Sequence, residues 1–281
     1  ILRERSMYTI CMNAICRFYR IPTILYNLSP VWEKPRKVDL AHRIVWKLTP
    51  EYRMTPTNLV GIDFTGLVKD EKGYWAPFIV EPHMAPEEKT YFAGGRINVF
   101  CIGKYQERKN LLMMIQVIEE LSDRYDLHLT ITGERSNHFH EEYYRMVTGY
   151  VRDHGMEERV TFLVNLGREA VAEEYRKADV YVVPSTGEPA SITVIEAMSF
   201  SVPAISGSDN GTASYIDVGK TGYVFEDNDQ NDLRDKLELI IRDRDGLVRM
   251  GAEGYRHVKE NFQFRNYYEQ VEAIRRRIGE G

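Results

Sequence analysis

ADVYVVPSTGEPASITVIEAMSF, residues Ala178–Phe200, reads as a strand, a loop and a helix in immediate succession. Asp179–Val183 is short, apolar and β-branched, the composition of a parallel strand covered on both faces. Pro184 stops it, the polar stretch Ser185–Ala190 follows, and Ser191 is placed to cap a helix beginning at Ile192. A helix that starts at the carboxyl end of a parallel strand presents unpaired N–H groups and a positive dipole end, a seat suited to phosphate. Ligands of open α/β sheets bind along that edge.

The same alternation runs outward on both sides. Further strands are predicted at Ile97–Ile102, Leu127–Thr132, Val160–Val164, Pro203–Ser206 and Gly222–Phe225, each short, apolar and rich in Val, Ile, Thr or aromatic residues. Helices are predicted at Asn110–Asp123, Glu141–His154, Arg168–Lys177, Ile192–Phe200 and Thr212–Val218; the first repeats Leu111, Ile115, Ile118 and Leu121 near the helical period. Strands and helices alternating at this length define βαβ units around a parallel sheet. Only helices follow, near Gln230–Arg244, Gly246–Asn261 and Phe264–Arg277. The fold class is therefore α/β, with a complete Rossmann-like parallel-sheet domain over residues 96–261. Residues 262–281 are expected to form a helix crossing back to the N-terminal part, because Phe262, Phe264, Tyr267 and Tyr268 need a packing partner.

Residues 1–95 are less regular. A helix over Glu4–Tyr19 leads through Pro22 to a strand at Thr23–Leu28, then to a proline-punctuated loop, a helix near Val38–Leu48, and extended pieces at Asn58–Ile62 and Trp75–Val80. This is the content of part of a Rossmann-like lobe, and the opening at Ile1 rather than Met reads as a fragment or a processed chain. Glu81–Gly95, with Pro82, Pro86, Gly94 and Gly95, has the composition of a linker.

The chain has 281 residues, 43% of them apolar and 28% charged, the balance of a globular protein with an ordinary core. No run approaches the length of a membrane-spanning helix. Three cysteines, Cys11, Cys16 and Cys101, with no CxxC pair, argue against a disulfide scaffold and a zinc site. The net charge of −5 argues against a nucleic-acid binder. Residues 1–60 nevertheless carry ten Lys/Arg against four Asp/Glu, a basic lobe suited to an anionic lipid surface or an anionic substrate, or a solvated face.

The chemistry concentrates at the carboxyl ends of consecutive strands. Glu188 lies in the loop before the helix of the opening stretch and Glu196 in the helix itself. Both suit hydroxyl acceptors on either side of a diphosphate, although a dipole-stabilising helical Glu and a solvated loop Glu would give the same letters. In VFCIGKYQERKN, Val99–Asn110, a strand ends at Gly103, and Lys104, Arg108 and Lys109 cluster before the next helix. Cations there neutralise a pyrophosphate leaving group, or form an ordinary basic turn. Gly133–Glu134 and Asn165 end two further strands where a flat base could approach backbone. Gly207–Ser214 is a small-residue loop.

Residues 97–225 resemble the C-terminal, donor-binding domain of glycosyltransferase family 4, the group 1 retaining enzymes of GT-B architecture. The E-x7-E signature of that family stands as Glu188–Pro189–Ala190–Ser191–Ile192–Thr193–Val194–Ile195–Glu196, followed by Ala197–Met198. Gly103–Lys104 and Lys109–Asn110 match its Gly-Arg…Lys-Asn element, and Ala178–Asp179 to Pro184–Ser185 its Ala-Asp strand ending in Pro-Ser. Pro203–Ile205, Asp209–Gly211 and Gly219–Gly222 match the later segments. The resemblance covers about 60% of the chain, motifs in order and register.

The resemblance implies a retaining, metal-independent hexosyltransferase. It would move a sugar from a nucleotide-diphosphate sugar to a saccharide or lipid-linked acceptor, in cell-surface polysaccharide or glycolipid synthesis. It would act in the cytoplasm or at the inner membrane surface, with the basic residues 1–60 touching the membrane and no cofactor beyond the donor. Glu188, Lys109 and Lys104 would be catalytic: Glu188 binds hydroxyls of the transferred sugar and the lysines hold the diphosphate. Glu196 would bind the ribose, Ser191, Ile192 and Thr193 the diphosphate from the helix start, and Gly103, Gly133, Glu134 and Asn165 would line the donor and its base. No metal ligand is expected. This chain departs from the family in having Lys104 where Arg is usual, which removes a bidentate phosphate contact. It also has Ala190–Ser191 where an aromatic residue and Gly are common. A Gly-rich opening loop and a catalytic-side His are not recognisable in residues 1–95, where His42 and His83 are available but read as structural, so the N-terminal domain reads as truncated. The alternative is a non-catalytic nucleotide-sugar-binding module.

Overall fold

The structure, a computed structural model, describes residues 1–3, 7–28, 47–50, 52–57, 67–68 and 73–279. Two sheets carry the chain. The larger is formed by β6 (Ile97–Ile102), β7 (Leu127–Gly133), β8 (Val160–Val164), β9 (Val180–Val183), β10 (Ala204–Gly207) and β11 (Gly222–Phe225), in the spatial order β11-β10-β9-β6-β7-β8. Every pairing in it is parallel. The chain starts in the middle at β6, runs outward to β8, returns to β9 beside β6 and runs outward again. The order therefore reverses between β6 and β9, and that is where a doubly wound sheet opens a ligand crevice.

Burial explains why these segments are strands. All four residues of β9, VYVV, are buried, as a central strand covered by helices on both faces requires. One face packs with α2 (Leu111–Leu121), whose Leu111, Met114, Ile115, Ile118 and Leu121 enter a core shared with Val99, Leu129, Ile131 and Val182. The other face holds Phe100, Tyr181 and Val183 against α4 (Arg168–Lys177) and α5 (Thr193–Ser199). Each such aliphatic or aromatic side chain contributes roughly 1.5–3 kcal/mol by leaving water. The outer helices are α3 (His138–Asp153), α6 (Gln230–Ile241) and α7 (Arg244–Asn261). Asn137, Asp229 and Asp243 cap these three with side-chain oxygens.

The second sheet comprises β1 (Leu2–Arg3), β2 (Ile24–Tyr26), β3 (Tyr52–Thr55), β4 (Leu67–Val68) and β5 (Gly73–Trp75), ordered β1-β2-β3-β5-β4, with α1 (Met7–Phe18) between its first two strands. Its pairings are parallel except β4 with β5. The final helix α8 (Phe264–Gly279) places Ile274 and Ile278 against Met54 and Tyr74 of this sheet and Ala76 just after it, with Tyr267 and Val271 alongside. Phe262 turns instead into the larger domain, stacked on Tyr215 at 4.8 Å, and Phe264 and Tyr268 are exposed.

Several elements differ from expectation. Strand β3 was not foreseen: its letters, YRMT, are too short and mixed to signal one, and pairing with β2 and β5 makes it a strand. The extended piece at Trp75–Val80 is a strand only through Trp75. Of the helix expected near Val38–Leu48 only Lys47 and Leu48 are described, both helical; Asn58–Ile62 and His42 lie outside the described residues. The helix expected over Thr212–Val218 is a single 3₁₀ turn, Ala213–Tyr215, and it stops where a side chain takes a backbone group that a continuing helix would use: Asp217 N–H donates to Thr221 Oγ1 at 2.9 Å. The linker-like Glu81–Gly95 is tied down. His83 and Met84 N–H donate to Ser199 O at 2.9 and 3.0 Å, and His83 stacks on Phe200. Buried Lys89 donates to the last carbonyls of α4, Tyr175 O at 3.0 Å and Arg176 O at 2.7 Å.

Candidate active site

The loops following β6 and β9 meet at the point of strand-order reversal. From β6 comes Gly103, then a 3₁₀ turn at Glu107–Lys109; from β9 comes the loop carrying Glu188. A Cβ on Gly103 would sit 3.2 Å from Lys109 Cδ, so the bare glycine lets the lysine stem lie across it. Lys109 then reaches Glu188: its Nζ donates to Glu188 Oε2, and Arg108 Nη1 donates to the same oxygen at 3.1 Å. Glu188 is 8% exposed. A nearly buried carboxylate held by two cations is charge-compensated in place.

The loop around Glu188 has no regular structure, yet its backbone groups are taken up. Thr186 N–H donates to Arg108 O at 2.9 Å, and Gly211 N–H donates to Glu188 O at 3.0 Å. Gly187, at φ +58°, turns its N–H onto Asp209 Oδ2, a left-handed conformation that glycine adopts without strain. Pro189 O accepts from Thr57 Oγ1 at 2.8 Å, a contact made by the N-terminal part of the chain. Ser191 N–H and O both bond the Thr212 hydroxyl, at 3.3 and 2.8 Å.

The next strands add a second group. Gly133 ends β7 so close to β6 that a Cβ there would stand 2.2 Å from Gly103 O and 2.8 Å from the Tyr105 ring; only glycine fits. Beside it, Lys104 Nζ pairs with Glu134 Oε2 at 2.9 Å, both half-exposed. The Ser136 hydroxyl, then Lys104, hold the Glu134 carboxyl below its usual range. Asn165, at φ +54°, bonds the Arg135 backbone twice, Arg135 N to Oδ1 at 2.8 Å and Nδ2 to Arg135 O at 3.1 Å, stitching the loops after β7 and β8 together.

Helix α5 begins one residue later than expected. Ile192 occupies the cap position with no side-chain cap bond, and Ser191 Oγ bonds Thr193 Oγ1 at 2.6 Å instead of capping. Ile195 and Glu196 N–H both donate to Ile192 O at 3.1 Å, while by helix geometry the N–H groups of Thr193 and Val194 have no intrahelical acceptor. Glu196, in this first turn, is partly buried; burial pushes its carboxyl up, against the pull of the Tyr175 hydroxyl and the Arg168 charge. Tyr175 OH donates to Glu196 Oε2 at 3.3 Å.

The sequence-predicted residues thus fall at one edge of one sheet. Direct contacts join Lys109 to Glu188 and Gly103, Lys104 to Glu134, and Ser191 to Thr193. Three participants were not singled out for the site by sequence. Arg108 was visible only as part of a basic turn, Tyr175 lies 21 residues before Glu196 on another helix, and Thr57 comes from the other sheet. No local signal marks the last two. Among the described residues no group of three or more His, Cys, Asp or Glu side chains is placed to hold a metal ion, and no helix is long and apolar enough to cross a membrane.

The two sheets, the strand order and the loop edge define a class of protein. The structure superposes on Anabaena HepE, solved in complex with UDP, with a TM-score of 0.75 at 12% identity, over 95% of this chain and 75% of that one. The α/β fold is the GT-B fold of glycosyltransferases. At the level of family, the description "Glycosyl transferases group 1" matches residues 87–257, and the chain belongs to that family. Among curated relatives, the D-inositol 3-phosphate glycosyltransferase of Nocardia farcinica is 34% identical over 103 residues, 37% of this chain and 23% of that one. A GDP-mannose-dependent alpha-(1-6)-phosphatidylinositol monomannoside mannosyltransferase of Mycobacterium tuberculosis is 26% identical over 174 residues, 59% of this chain and 44% of that one. The matches span less than half of these relatives' lengths.

Proposed function

We propose that this glycosyltransferase-family chain binds a nucleotide-diphosphate sugar at the carboxyl edge of its larger sheet and transfers the sugar with retention of anomeric configuration, in the manner of glycosyltransferase family 4. The observation that carries the reading is the Arg108–Glu188–Lys109 constellation at the β6/β9 reversal, beside the start of α5. Cations and a carboxylate in one nearly closed cluster suit a ligand that is anionic at its diphosphate and hydroxylated at its sugar. In this reading Lys109 and Lys104 leave their present carboxylate partners for the diphosphate, joined by N–H groups near Ser191, Ile192 and Thr193. Glu188 then accepts from hydroxyls of the sugar. Glu196 accepts from the ribose, while Gly103, Gly133, Glu134 and Asn165 line the remainder of the donor. The acceptor, a saccharide or lipid-linked glycan, sits toward the N-terminal sheet.

The neighbours' names support a donor of this kind: HepE is solved with UDP, and the mycobacterial relative is named as a GDP-mannose-dependent phosphatidylinositol monomannoside mannosyltransferase. Work without a metal, in cell-surface glycan synthesis at the cytoplasmic face of a membrane, completes the proposal. Calorimetric titration with UDP, GDP, ADP and their sugars, with and without EDTA, tests it. The expected result is tight binding of one nucleotide, unchanged by EDTA and weakened by Glu196→Ala. Absence of binding across the panel overturns it.

A further inference from the structure

Beneath the Glu188 loop lies a pair of aspartates that the proposed reaction does not use. Asp209 follows β10 and Asp227 follows β11. Both carboxyls converge on the Thr186 hydroxyl, which lies 2.8 Å from Asp227 Oδ2 and 3.4 Å from Asp209 Oδ2. Asp209 Oδ2 also takes the Gly187 N–H. The remaining oxygen of each, Asp209 Oδ1 and Asp227 Oδ1, is buried without a partner among the described residues. One hydroxyl proton cannot satisfy two ionised carboxylates. Like charges this close do not both ionise freely in a partly desolvated place.

No nearby cation is free to neutralise them among the described residues. Arg108 and Lys109 hold Glu188. Asp232 takes the Glu226 N–H and pairs with Lys236 at 3.2 Å, Asp229 caps α6, and Glu226 is exposed and acidic itself. The Asp227 loop also touches the β6 loop, through Asn110 Nδ2 to Asn228 Oδ1 at 3.4 Å.

We propose that Asp209 and Asp227 are positioning residues: they share one proton, and this shared proton fixes the Thr186–Gly187 turn and so holds Glu188 between Arg108 and Lys109. This rests on the donor reading above. With one proton between them, the two carboxyls converge on the Thr186 hydroxyl without like-charge repulsion, and Gly187 has one defined acceptor. Doubly ionised, the two groups repel across the Thr186 hydroxyl, which works against the convergence that shapes the turn although the Gly187 N–H keeps its acceptor. Burial first, and then Asp227, push the Asp209 carboxyl up to about 6, against the Gly187 and Thr186 hydrogen bonds.

The test has two readouts on the full chain. Aspartate 13Cγ NMR titration, with the Asp209 signal assigned by its loss in Asp209→Asn, is expected to show a midpoint near 6. In Asp227→Asn that midpoint should fall toward the ordinary carboxylate range. Calorimetry with UDP and GDP from pH 5 to 8 should show wild-type affinity falling about tenfold through the same midpoint, the effect of a one-unit pKa difference between bound and free protein. Asp227→Asn should flatten that profile, since an amide keeps a donor between the groups at every pH, whereas Asp227→Ala should bind weakly throughout. Should the Asp227 variants not fold, Thr186→Val removes the shared hydroxyl and is expected to change both the midpoint and the affinity. An ordinary Asp209 midpoint with intact binding overturns this proposal alone, as does a wild-type pH profile in Asp227→Asn. A midpoint near 6 with no nucleotide bound at any pH overturns the donor reading, and the positioning role with it.

Discussion

Tyr175→Phe removes one oxygen and little else. The ring is 2% exposed, edge-on to Phe100 at 5.0 Å and stacked on Phe200 at 5.4 Å, and phenylalanine keeps both contacts. What is lost is the 3.3 Å bond to Glu196 Oε2. Hydrogen bonds to charged acceptors are worth ~1.5–3 kcal/mol, and this one, at the long end of the range, about 1 kcal/mol. A loss of that size lowers Tm by roughly 2–4 °C. If Glu196 holds the ribose, part of the same energy appears in nucleotide affinity, as much as about fivefold. The pH dependence is the sharper readout. Burial already raises the Glu196 carboxyl and Tyr175 pulls it down, so the variant raises it further. Donor binding needs the ionised, accepting form, so affinity falls as pH drops through the Glu196 midpoint, and in Tyr175→Phe it falls at higher pH than in wild type. Calorimetry of the bound nucleotide at several pH values, with thermal melts alongside, measures both. A variant that melts lower but keeps wild-type affinity and an unmoved acid limb would refute the assignment of Glu196 to the donor.

The other expectations concern stability and the site's cations. Asp179 is fully buried and accepts from Phe92 N and Asn98 N at 2.7 Å each and from Asn98 Nδ2 at 3.0 Å. Asp179→Ala strands these donors and should cost about 3–5 kcal/mol in urea unfolding; a loss under 1 kcal/mol would contradict it. Burial depresses Lys89 from 10.5 to about 8. Its contribution is therefore lost as pH falls through 8 and present above 10.5, so the stability of wild type relative to Lys89→Met should rise between pH 8 and 10 by up to about 3 kcal/mol; a flat difference in denaturant titrations refutes it. Gly133→Ala drives a methyl into Gly103 O and should cost about 1–3 kcal/mol, with amide shifts in both loops. Lys109→Met should leave Glu188 with Arg108 alone and weaken nucleotide binding more than Lys104→Met, whose partner Glu134 is half-exposed; equal effects in calorimetry would contradict the ranking.

How much could be read in advance follows from how local each signal is. Val160–Val164, Gly222–Phe225 and Arg168–Lys177 appear with the expected bounds, because a doubly covered strand and a helix near a core declare themselves in composition and period. β3 did not, since nothing in YRMT outweighs the pairing that makes it a strand. The expected helix at Thr212 failed where the Thr221 hydroxyl takes the Asp217 N–H and Tyr215 OH is drawn to Pro56 O at 2.6 Å. At the site, Glu188 and Lys109 were legible as a loop carboxylate and a strand-end cation. Their union was not, because 79 residues separate them. The Asp209–Asp227 pair is invisible for the same reason: it exists only where the ends of β10 and β11 lie side by side.

The Glu188 loop shows why a segment with no helix or strand can still be rigid. Thr186, Gly187, Glu188, Pro189 and Ser191 each have a backbone polar group bonded to something outside the loop: Arg108 O, Asp209, Gly211 N–H, Thr57 and Thr212 respectively. These partners come from three different connections, two after strands of the larger sheet and one after a strand of the other sheet. Each bond contributes only about 1 kcal/mol net. Together they fix the loop that carries the Glu188 carboxylate. The Thr57 contact extends the argument across the molecule. Pro56 O, next to it, accepts from Trp75 Nε1 at 3.2 Å and from Tyr215 OH, and Tyr215 also takes the Phe78 N–H at 3.1 Å. A rotation of the N-terminal sheet that breaks the Tyr215 and Thr57 bonds therefore frees Pro189 O beside Glu188. The position of the N-terminal sheet and the setting of the Glu188 carboxylate are coupled through this short stretch of backbone.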